Sequence, residues 1–188
     1  MPPALLPWFL GIWLGLLAVW VVTALRMKPL ETRGTKHAEW TQWVALALAV
    51  ALAVGAGGAI LSRRIIPPSD GLAYMGLVLA ALGCGFAVWA RLTLGRNWSV
   101  SPTIRQGHAL IRRGPYRLAR HPIYTGILTG VLGTMLASGR LRVVVAMIVL
   151  TTALIFKIRT EEALLREQFG VDYERYRREV KRLIPFVW

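Results

Sequence analysis

The sequence is poor in cysteine and in negative charge. Its 188 residues include one cysteine, Cys84, which excludes an intrachain disulfide and a cysteine-rich metal site. Asp and Glu together number 9, against 23 Lys and Arg, so the formal net charge is +14. Charged residues make up 17% of the chain and hydrophobic residues 55%, whereas soluble domains carry about 25% charged residues. This composition excludes a disulfide scaffold and a disordered chain, and it fits a membrane protein better than a soluble globule.

Acidic residues are absent from five apolar segments of the chain. Because ionised carboxylates are costly in hydrocarbon, this absence supports membrane spans. The first three segments are long enough to cross a hydrocarbon layer of about 30 Å, and the shorter last two predict a tight helical hairpin. We therefore expect an all-α integral membrane protein, a five-span helical bundle with a cytoplasmic C-terminal amphipathic helix. The segments comprise residues 5–25, 43–61, 72–90, 123–137 and 143–156.

Basic residues predict the orientation of this bundle. Segments 26–41 and 91–120 and the tail from Lys157 hold 19 of the 23 Lys and Arg residues, and two other loops hold 4. Lys and Arg accumulate on the cytoplasmic side, which predicts an N-terminus outside and a C-terminus inside. The first apolar run is long and follows no basic segment, so we interpret it as a retained span. We expect a multi-pass protein of the inner or plasma membrane, if the host is prokaryotic, whose charge attracts anionic lipids and not nucleic acid.

A helix start after the third apolar segment is the first candidate site. Pro122 suits the first turn of a helix, because its missing N–H would have no partner there. His121 then precedes the helix, and the backbone N–H groups of the first turn, with Arg117 and Arg120 around them, favour an anionic group such as a carboxylate or phosphate. An ordinary basic cap on a membrane helix is the alternative.

Two adjacent carboxylates, Glu161 and Glu162, follow the last apolar segment and face a cationic loop. An ion pair with Arg117 or Arg120 is the structural alternative to a functional role. Beyond them, apolar residues recur at helical spacing and predict an amphipathic helix on the cytoplasmic surface, which Gly170 interrupts or adapts for close contact. The apolar residues of this helix are Leu165, Phe169, Tyr173, Tyr176 and Val180.

Two blocks of the sequence carry a family resemblance. The first block is His108-Ala-Leu-Ile, with Gly114, Tyr116 and the run Arg120-His-Pro-Ile-Tyr-Thr-Gly. The second block is Glu161-Glu162 with Leu165, Phe169-Gly170, Tyr173, Tyr176 and Pro185-Phe186.

Together the blocks resemble the motifs of the isoprenylcysteine carboxyl methyltransferases, in a superfamily of integral membrane methyltransferases that includes the phospholipid methyltransferases. The resemblance divides the chain into an N-terminal three-span region, 1–90, and a methyltransferase core, 91–188. The core comprises the cytoplasmic loop, the helical hairpin and the C-terminal cytoplasmic helix.

The resemblance implies S-adenosyl-L-methionine as the methyl donor, with S-adenosyl-L-homocysteine as the product, bound on the cytoplasmic side and without a metal. The implied acceptor is a hydrophobic, lipid-like or prenylated small molecule that enters sideways from the lipid bilayer. A carboxylate such as Glu161 can pair with the ammonium group of the donor. By the resemblance, cofactor contacts map onto Ser101, His108, Ala109, Leu110, Ile111, Tyr116, His121, Pro122, Ile123, Tyr124 and Glu161.

The residue that faces the acceptor departs from the family pattern. Relatives carry an arginine four residues before the first glutamate, where this chain has Lys157, which lacks the planar fork that holds a carboxylate. Arg159 or Arg120 is the alternative for this role. A carboxyl acceptor is ionised at neutral pH and needs no base, whereas an amine or thiol acceptor must lose a proton. The candidate bases for that proton are His108, His121 and Glu162.

Three other functions stay open at this point. A phospholipid N-methyltransferase would use the same cofactor, and its phosphate would suit the clustered arginines. A sterol-type membrane reductase would use NADPH, whose 2′-phosphate also needs an arginine cluster. A scaffold or small transporter is disfavoured, because the apolar segments hold no acidic residue and the second half does not repeat the first.

Cysteine labelling tests the predicted orientation. In a Cys84→Ser background, the Ser69→Cys variant should react with an impermeant thiol reagent added to intact cells, and the Arg105→Cys variant should be protected. The reason is that positions 69 and 105 lie in loops on opposite sides of the third apolar segment. The opposite pattern of labelling would reverse the topology.

Overall fold

The computed structural model describes residues 1–25, 30–33, 36–55, 58–95, 103–105 and 110–184. Helices make up most of this described part. The elements are α1 (Leu6–Ala24, after a 3-10 turn at Pro3–Leu5), β1 (Leu30–Arg33), α2 (Lys36–Val54), α3 (Gly58–Ser62), α4 (Asp70–Leu94), β2 (Thr103–Arg105), a 3-10 turn at Gly114–Arg117, α5 (Pro122–Ser138) and α6 (Leu141–Glu179).

Three helices are long and apolar enough to cross a membrane. These candidate spans are Pro3–Ala24, Asp70–Leu94 and Leu141–Glu179, and shorter apolar helices cover Val44–Val54 and Pro122–Ser138. The structure therefore confirms a helical protein of the integral membrane class. The count of five membrane spans and the placement of the C-terminus on the cytoplasmic side stay predictions.

The expected second span is divided in the structure. Helix α2 ends at Val54 and α3 begins at Gly58, so segment 43–61 is not one continuous helix. Gly55 and Gly58 have φ angles of 144° and 65°, a backbone conformation that glycine adopts readily and other residues avoid. The apolar composition predicted burial in lipid, but these glycines end the helix before the apolar run does.

A two-stranded antiparallel ladder departs from the all-α expectation. Strand β1 pairs with β2, with Leu30 opposite Arg105 and Arg33 opposite Thr103. The two strands belong to the loops after α1 and after α4. Since extended segments at the same end of a bundle can satisfy each other's backbone groups, a ladder forms where the sequence shows only loops.

Glycines bring α4 and α5 into backbone contact. A Cβ atom built at Gly83 would lie 2.5 Å from the Gly130 nitrogen, and one at Gly126 would lie 2.5 Å from the Gly83 carbonyl oxygen. One built at Gly133 would lie 2.4 Å from the Gly76 carbonyl oxygen. Small residues are the usual means of close helix association in membranes, where lipid removes the hydrophobic driving force. This contact fixes α5, whose first turn carries much of the candidate site.

The predicted hairpin between α5 and α6 is confirmed. Gly139 takes a left-handed conformation, with φ 59°, between the two helices. Its carbonyl oxygen accepts a hydrogen bond from the Ile65 nitrogen at 2.8 Å, and the Arg140 Nη1 atom donates to the Ser62 carbonyl oxygen at 2.9 Å. This turn therefore packs against the loop that precedes α4, at the end of the bundle opposite the start of α5.

Helix α6 is broken near its end, as the position of Gly170 suggested. Gly170 has φ 45° and ψ −120°, and the chain turns there while helical hydrogen bonding resumes beyond it. After this turn Tyr173 and Tyr176 are buried. The chain then returns to the start of α5 as a short non-helical segment with bends, residues 180–183, which we call the strap.

Substitution of the glycines should distinguish close packing from open space. Gly83→Ala should lower the melting temperature by several degrees, because its methyl group meets backbone atoms of α5 and overpacking costs about 1–3 kcal/mol. Gly85→Ala is the matched control, since nothing lies within 4 Å of its Cβ position in the same helix. Thermal unfolding in detergent measures both, and equal melting temperatures would contradict the packing.

Candidate active site

Glu161 joins α6 to the first turn of α5. The Tyr124 hydroxyl donates a hydrogen bond of 2.6 Å to Glu161 Oε1, and Lys157 Nζ lies 3.5 Å from the same oxygen, one helical turn away. His121 Nδ1 lies 3.5 Å from Glu161 Oε2. The Glu161 side chain keeps 20% of its surface exposed. It is thus a carboxylate that is held in place and still accessible.

His121 lies between the two carboxylates, at the N-cap of α5, with Pro122 in the first turn as predicted. Its Nε2 atom is 3.5 Å from Glu162 Oε1, and its ring is parallel to the Tyr124 ring, with centroids 5.6 Å apart. Burial lowers the pKa of His121, but Glu161 and Glu162 outweigh burial and hold that pKa above its usual value. The imidazole is therefore disposed to carry a proton.

Glu162 is held by two arginines. Arg120 donates to Oε1 through Nε at 3.0 Å and Nη2 at 2.8 Å, and Arg182 Nη2 donates to Oε2 at 2.9 Å. Only 2% of the Glu162 side chain is exposed. Buried carboxylates need such partners to offset desolvation. The ion pair with Arg120 is thus the arrangement that the structure adopts, whereas Arg117 is exposed.

The strap is bonded to the start of α5. The Arg120 nitrogen donates to the Lys181 carbonyl oxygen at 2.8 Å, and the His121 nitrogen donates to the Arg182 carbonyl oxygen at 3.0 Å. Thr125 Oγ1 donates to the Leu183 carbonyl oxygen at 2.7 Å. These contacts occupy N–H groups just before the helix and place the strap beside the first turn, whose own N–H groups we expected to face an anion. An anion at this helix start therefore stays a prediction.

Tyr116 closes the apolar side of the site. It lies in the 3-10 turn before α5, and its ring packs in a buried cluster with Ala90 and Ile123, bordered by Ile111. Its carbonyl oxygen accepts a hydrogen bond of 2.6 Å from the Tyr176 hydroxyl. Burial raises the pKa of Tyr116 well above its usual value, so its hydroxyl is protonated at neutral pH.

The structure brings most, not all, of the predicted residues together. Leu110 and Ile111 are half-buried in the segment before the 3-10 turn, and the Lys157 side chain is 12% exposed beside Glu161. Arg159 is exposed, with its guanidinium carbon 5.8 Å from the centre of the Phe156 ring, and is not brought to the carboxylates. Three predicted cofactor contacts lie outside the described residues: Ser101, His108 and Ala109.

Arg182 was not predicted from the sequence, although it binds Glu162 directly. It stands 20 residues after its partner, beyond the break at Gly170, so helical spacing gives no indication of the pair. Tyr176 was assigned to an amphipathic face and to the second motif block, but its contact with Arg112 was not predicted: the Arg112 guanidinium carbon lies 5.6 Å from the centre of the Tyr176 ring. The turn at Gly170 was the feature that could have indicated both contacts.

The sequence profile of the phospholipid methyltransferases matches residues 72–172, more than half of the chain. That region includes α4, α5, both carboxylates and the turn at Gly170. This chain belongs to the phospholipid methyltransferase family. The resemblance drawn from the two motif blocks is thereby confirmed.

Several relatives with similar sequences are named as isoprenylcysteine methyltransferases. A probable protein-S-isoprenylcysteine O-methyltransferase of Oryza sativa subsp. indica is 34% identical over 119 residues, 62% of this chain and 62% of the relative. The protein-S-isoprenylcysteine O-methyltransferase of Saccharomyces cerevisiae is 33% identical over 116 residues, 60% of this chain and 48% of the relative. The chain thus spans about half to three-fifths of the lengths of these relatives.

A solved structure has a similar fold. It is that of a eukaryotic intramembrane Ras methyltransferase, an isoprenylcysteine carboxyl methyltransferase, with a TM-score of 0.54 and 27% identity. The similarity covers 80% of this chain and 51% of that one. The helical membrane architecture is therefore shared beyond the matched motif region.

Proposed function

We propose that this protein is an integral membrane methyltransferase that uses S-adenosyl-L-methionine to methylate a hydrophobic or lipid-like acceptor, with a carboxyl group as the favoured target. The observation that carries the proposal is Glu161. This accessible carboxylate is held by Tyr124 and lies beside Lys157, where helices α5 and α6 meet. The family membership and the named relatives support the same reaction class.

The chemistry of these side chains fits the proposed cofactor. Glu161 can accept hydrogen bonds from an ammonium or a ribose hydroxyl, and the aromatic face of Tyr124 can favour a cation nearby. Ile111, Tyr116 and Ile123 pack in one apolar cluster, which would offer a nonpolar surface to the adenine. When bound, S-adenosyl-L-methionine supplies an electrophilic methyl group on a sulfonium. The protein then contributes alignment and the exclusion of water, which dominate an in-line displacement.

Lys157 is the best-placed cation for the acceptor. Arg120 is committed to Glu162, and Arg159 is exposed away from the carboxylates. Lys157 lies next to Glu161, so its ammonium can attract an anionic acceptor close to the cofactor. A carboxylate acceptor, with a pKa near 4, is already ionised and needs no base. A lipid-like acceptor can reach this position from the bilayer, while the polar cofactor enters from the aqueous side.

A phospholipid N-methyltransferase is the second candidate. The family description favours it, and His121 between two carboxylates can accept a proton from an amine in those molecules in which its imidazole is neutral. A sterol-type reductase is disfavoured, because the matched family is one of methyltransferases and the two relatives described above are isoprenylcysteine methyltransferases.

Removal of the Glu161 charge tests the cofactor site. Glu161→Gln should weaken the binding of S-adenosyl-L-homocysteine about tenfold or more, since a hydrogen bond to a charged group contributes about 1.5–3 kcal/mol. Glu167→Gln is the matched control, because Glu167 is an exposed carboxylate in the same helix. Calorimetric titration in detergent measures both. An unchanged dissociation constant for Glu161→Gln would remove this residue from the site, and absence of binding to the wild type would overturn the proposed function.

Removal of the Lys157 charge tests the acceptor site. Lys157→Ala should raise the KM for the acceptor by a larger factor than it changes the cofactor affinity, which it touches only through Glu161, while Arg159→Ala should alter neither. With a carboxyl acceptor, the wild-type rate should vary little from about pH 6 to 9, and the product should be a base-labile methyl ester. A rate that rises steeply with pH on every acceptor, without any methyl ester, would favour the N-methyltransferase.

A further inference from the structure

We propose that Arg182, in the strap, is a positioning residue of the methyl-transfer site and acts through Glu162. The inference rests on the proposed function, because the site it serves is the one assigned there. Its basis is a continuous set of contacts from Arg182, through Glu162 and His121, to the accessible carboxylate Glu161.

Arg182 fixes the orientation of the Glu162 carboxylate. Glu162 Oε1 is bonded by Arg120, but Oε2 receives hydrogen bonds from Arg182 alone among the residues that the structure describes, through Nε at 3.2 Å and Nη2 at 2.9 Å. Without Arg182 the carboxylate is held at one oxygen and can rotate about its last bond. Arg120 would still neutralise most of its charge, so the expected defect is one of geometry.

The Glu162 carboxylate in turn faces His121. Its Oε1 atom is 3.5 Å from His121 Nε2, while the opposite ring nitrogen faces Glu161 at 3.5 Å. The imidazole therefore lies between the two carboxylates at ion-pair distance, and its Nε2 atom has no hydrogen-bond partner among the described residues. A shift of the Glu162 carboxylate changes the charge that this nitrogen faces. Arg182 also reaches His121 through the backbone, because its carbonyl oxygen accepts the His121 N–H. One strap residue thus acts on His121, the N-cap residue of α5, in two ways: on its ring through Glu162 and on its backbone directly.

The orientation of His121 bears on the cofactor contacts. Its ring is parallel to that of Tyr124, and the Tyr124 hydroxyl holds Glu161 at 2.6 Å. A rotated imidazole would lose its contact with Glu161 and would no longer stack against the Tyr124 ring. Groups that work together in one hydrogen-bonded network show coupling energies, so an indirect loss of affinity is expected.

The planar fork of arginine matters for this role. Arg182 donates from Nε and Nη2 to the two oxygens of one carboxylate, a geometry that lysine lacks. A lysine at this position would keep the charge and lose the fixed orientation. Arg182→Lys therefore separates a need for positive charge from a need for geometry.

The experiment compares Arg182→Ala, Arg182→Lys and Glu162→Gln, alone and combined, with Arg178→Ala as an exposed control in the same tail. The measurements are the dissociation constant for S-adenosyl-L-homocysteine, kcat and KM with a prenylated carboxylic acid, and the melting temperature. We expect Arg182→Ala to weaken cofactor binding about tenfold and to lower kcat more than it raises the acceptor KM. We expect Arg182→Lys to restore part of the affinity.

The double variant separates positioning from simple stabilisation. If Arg182 acts through Glu162, then Arg182→Ala adds no further loss of affinity to Glu162→Gln. Additive losses, or a lower melting temperature with unchanged affinity and kcat, would overturn the inference. If Glu162→Gln does not fold, the comparison of Ala with Lys at position 182 carries the test, and equal affinity in those two variants and the wild type would overturn it. Failure of the wild type to bind S-adenosyl-L-homocysteine would instead overturn the proposed function.

Discussion

The burial of the Glu162 carboxylate between Arg120 and Arg182 is the constraint on which the candidate site depends. Glu162 belongs to α6, Arg120 precedes α5 and Arg182 belongs to the strap, so one carboxylate joins three separate segments. Each arginine offsets part of the desolvation of this carboxylate, and loss of both would leave a buried charge without compensation, a change that commonly costs about 3–5 kcal/mol. The three segments are therefore expected to keep their arrangement together or lose it together.

This constraint explains why two adjacent glutamates have different tasks. Consecutive residues of a helix point about 100° apart, so Glu162 faces the arginines while Glu161 faces Tyr124 and Lys157. The Glu162 carboxylate is bonded by two guanidinium groups and holds α6, the start of α5 and the strap together. The other keeps exposed surface and weaker cationic contacts, which a ligand can replace. The doublet thus combines an anchor and a binding group at a single position along α6.

Sequence reasoning predicted the features that depend on local composition and spacing. The apolar runs indicated the helices α1, α4 and α6, and Pro122 indicated the start of α5. The two carboxylates were expected near a cationic loop, and Arg120 was among their candidate partners. The ladder of β1 with β2 and the pair of Arg182 with Glu162 were missed. Both join segments that are distant in sequence, and periodicity carries no information about which distant segments meet.

The two faces of α5 are held by different forces, and this difference suits a membrane enzyme. On one face, glycines place its backbone against α4, and this packing leaves no room for a side chain at those positions. On the other, its first turn is joined to α6 by the hydrogen bonds of Tyr124 and the ion pair of Arg120. The polar contacts between α5 and α6 can be replaced by contacts with a ligand. Separation of α4 from α5 would instead leave an empty cavity between the two helices, which is unfavourable. The site can therefore exchange Glu161 contacts for those of a bound ligand while the α4–α5 pair keeps its position.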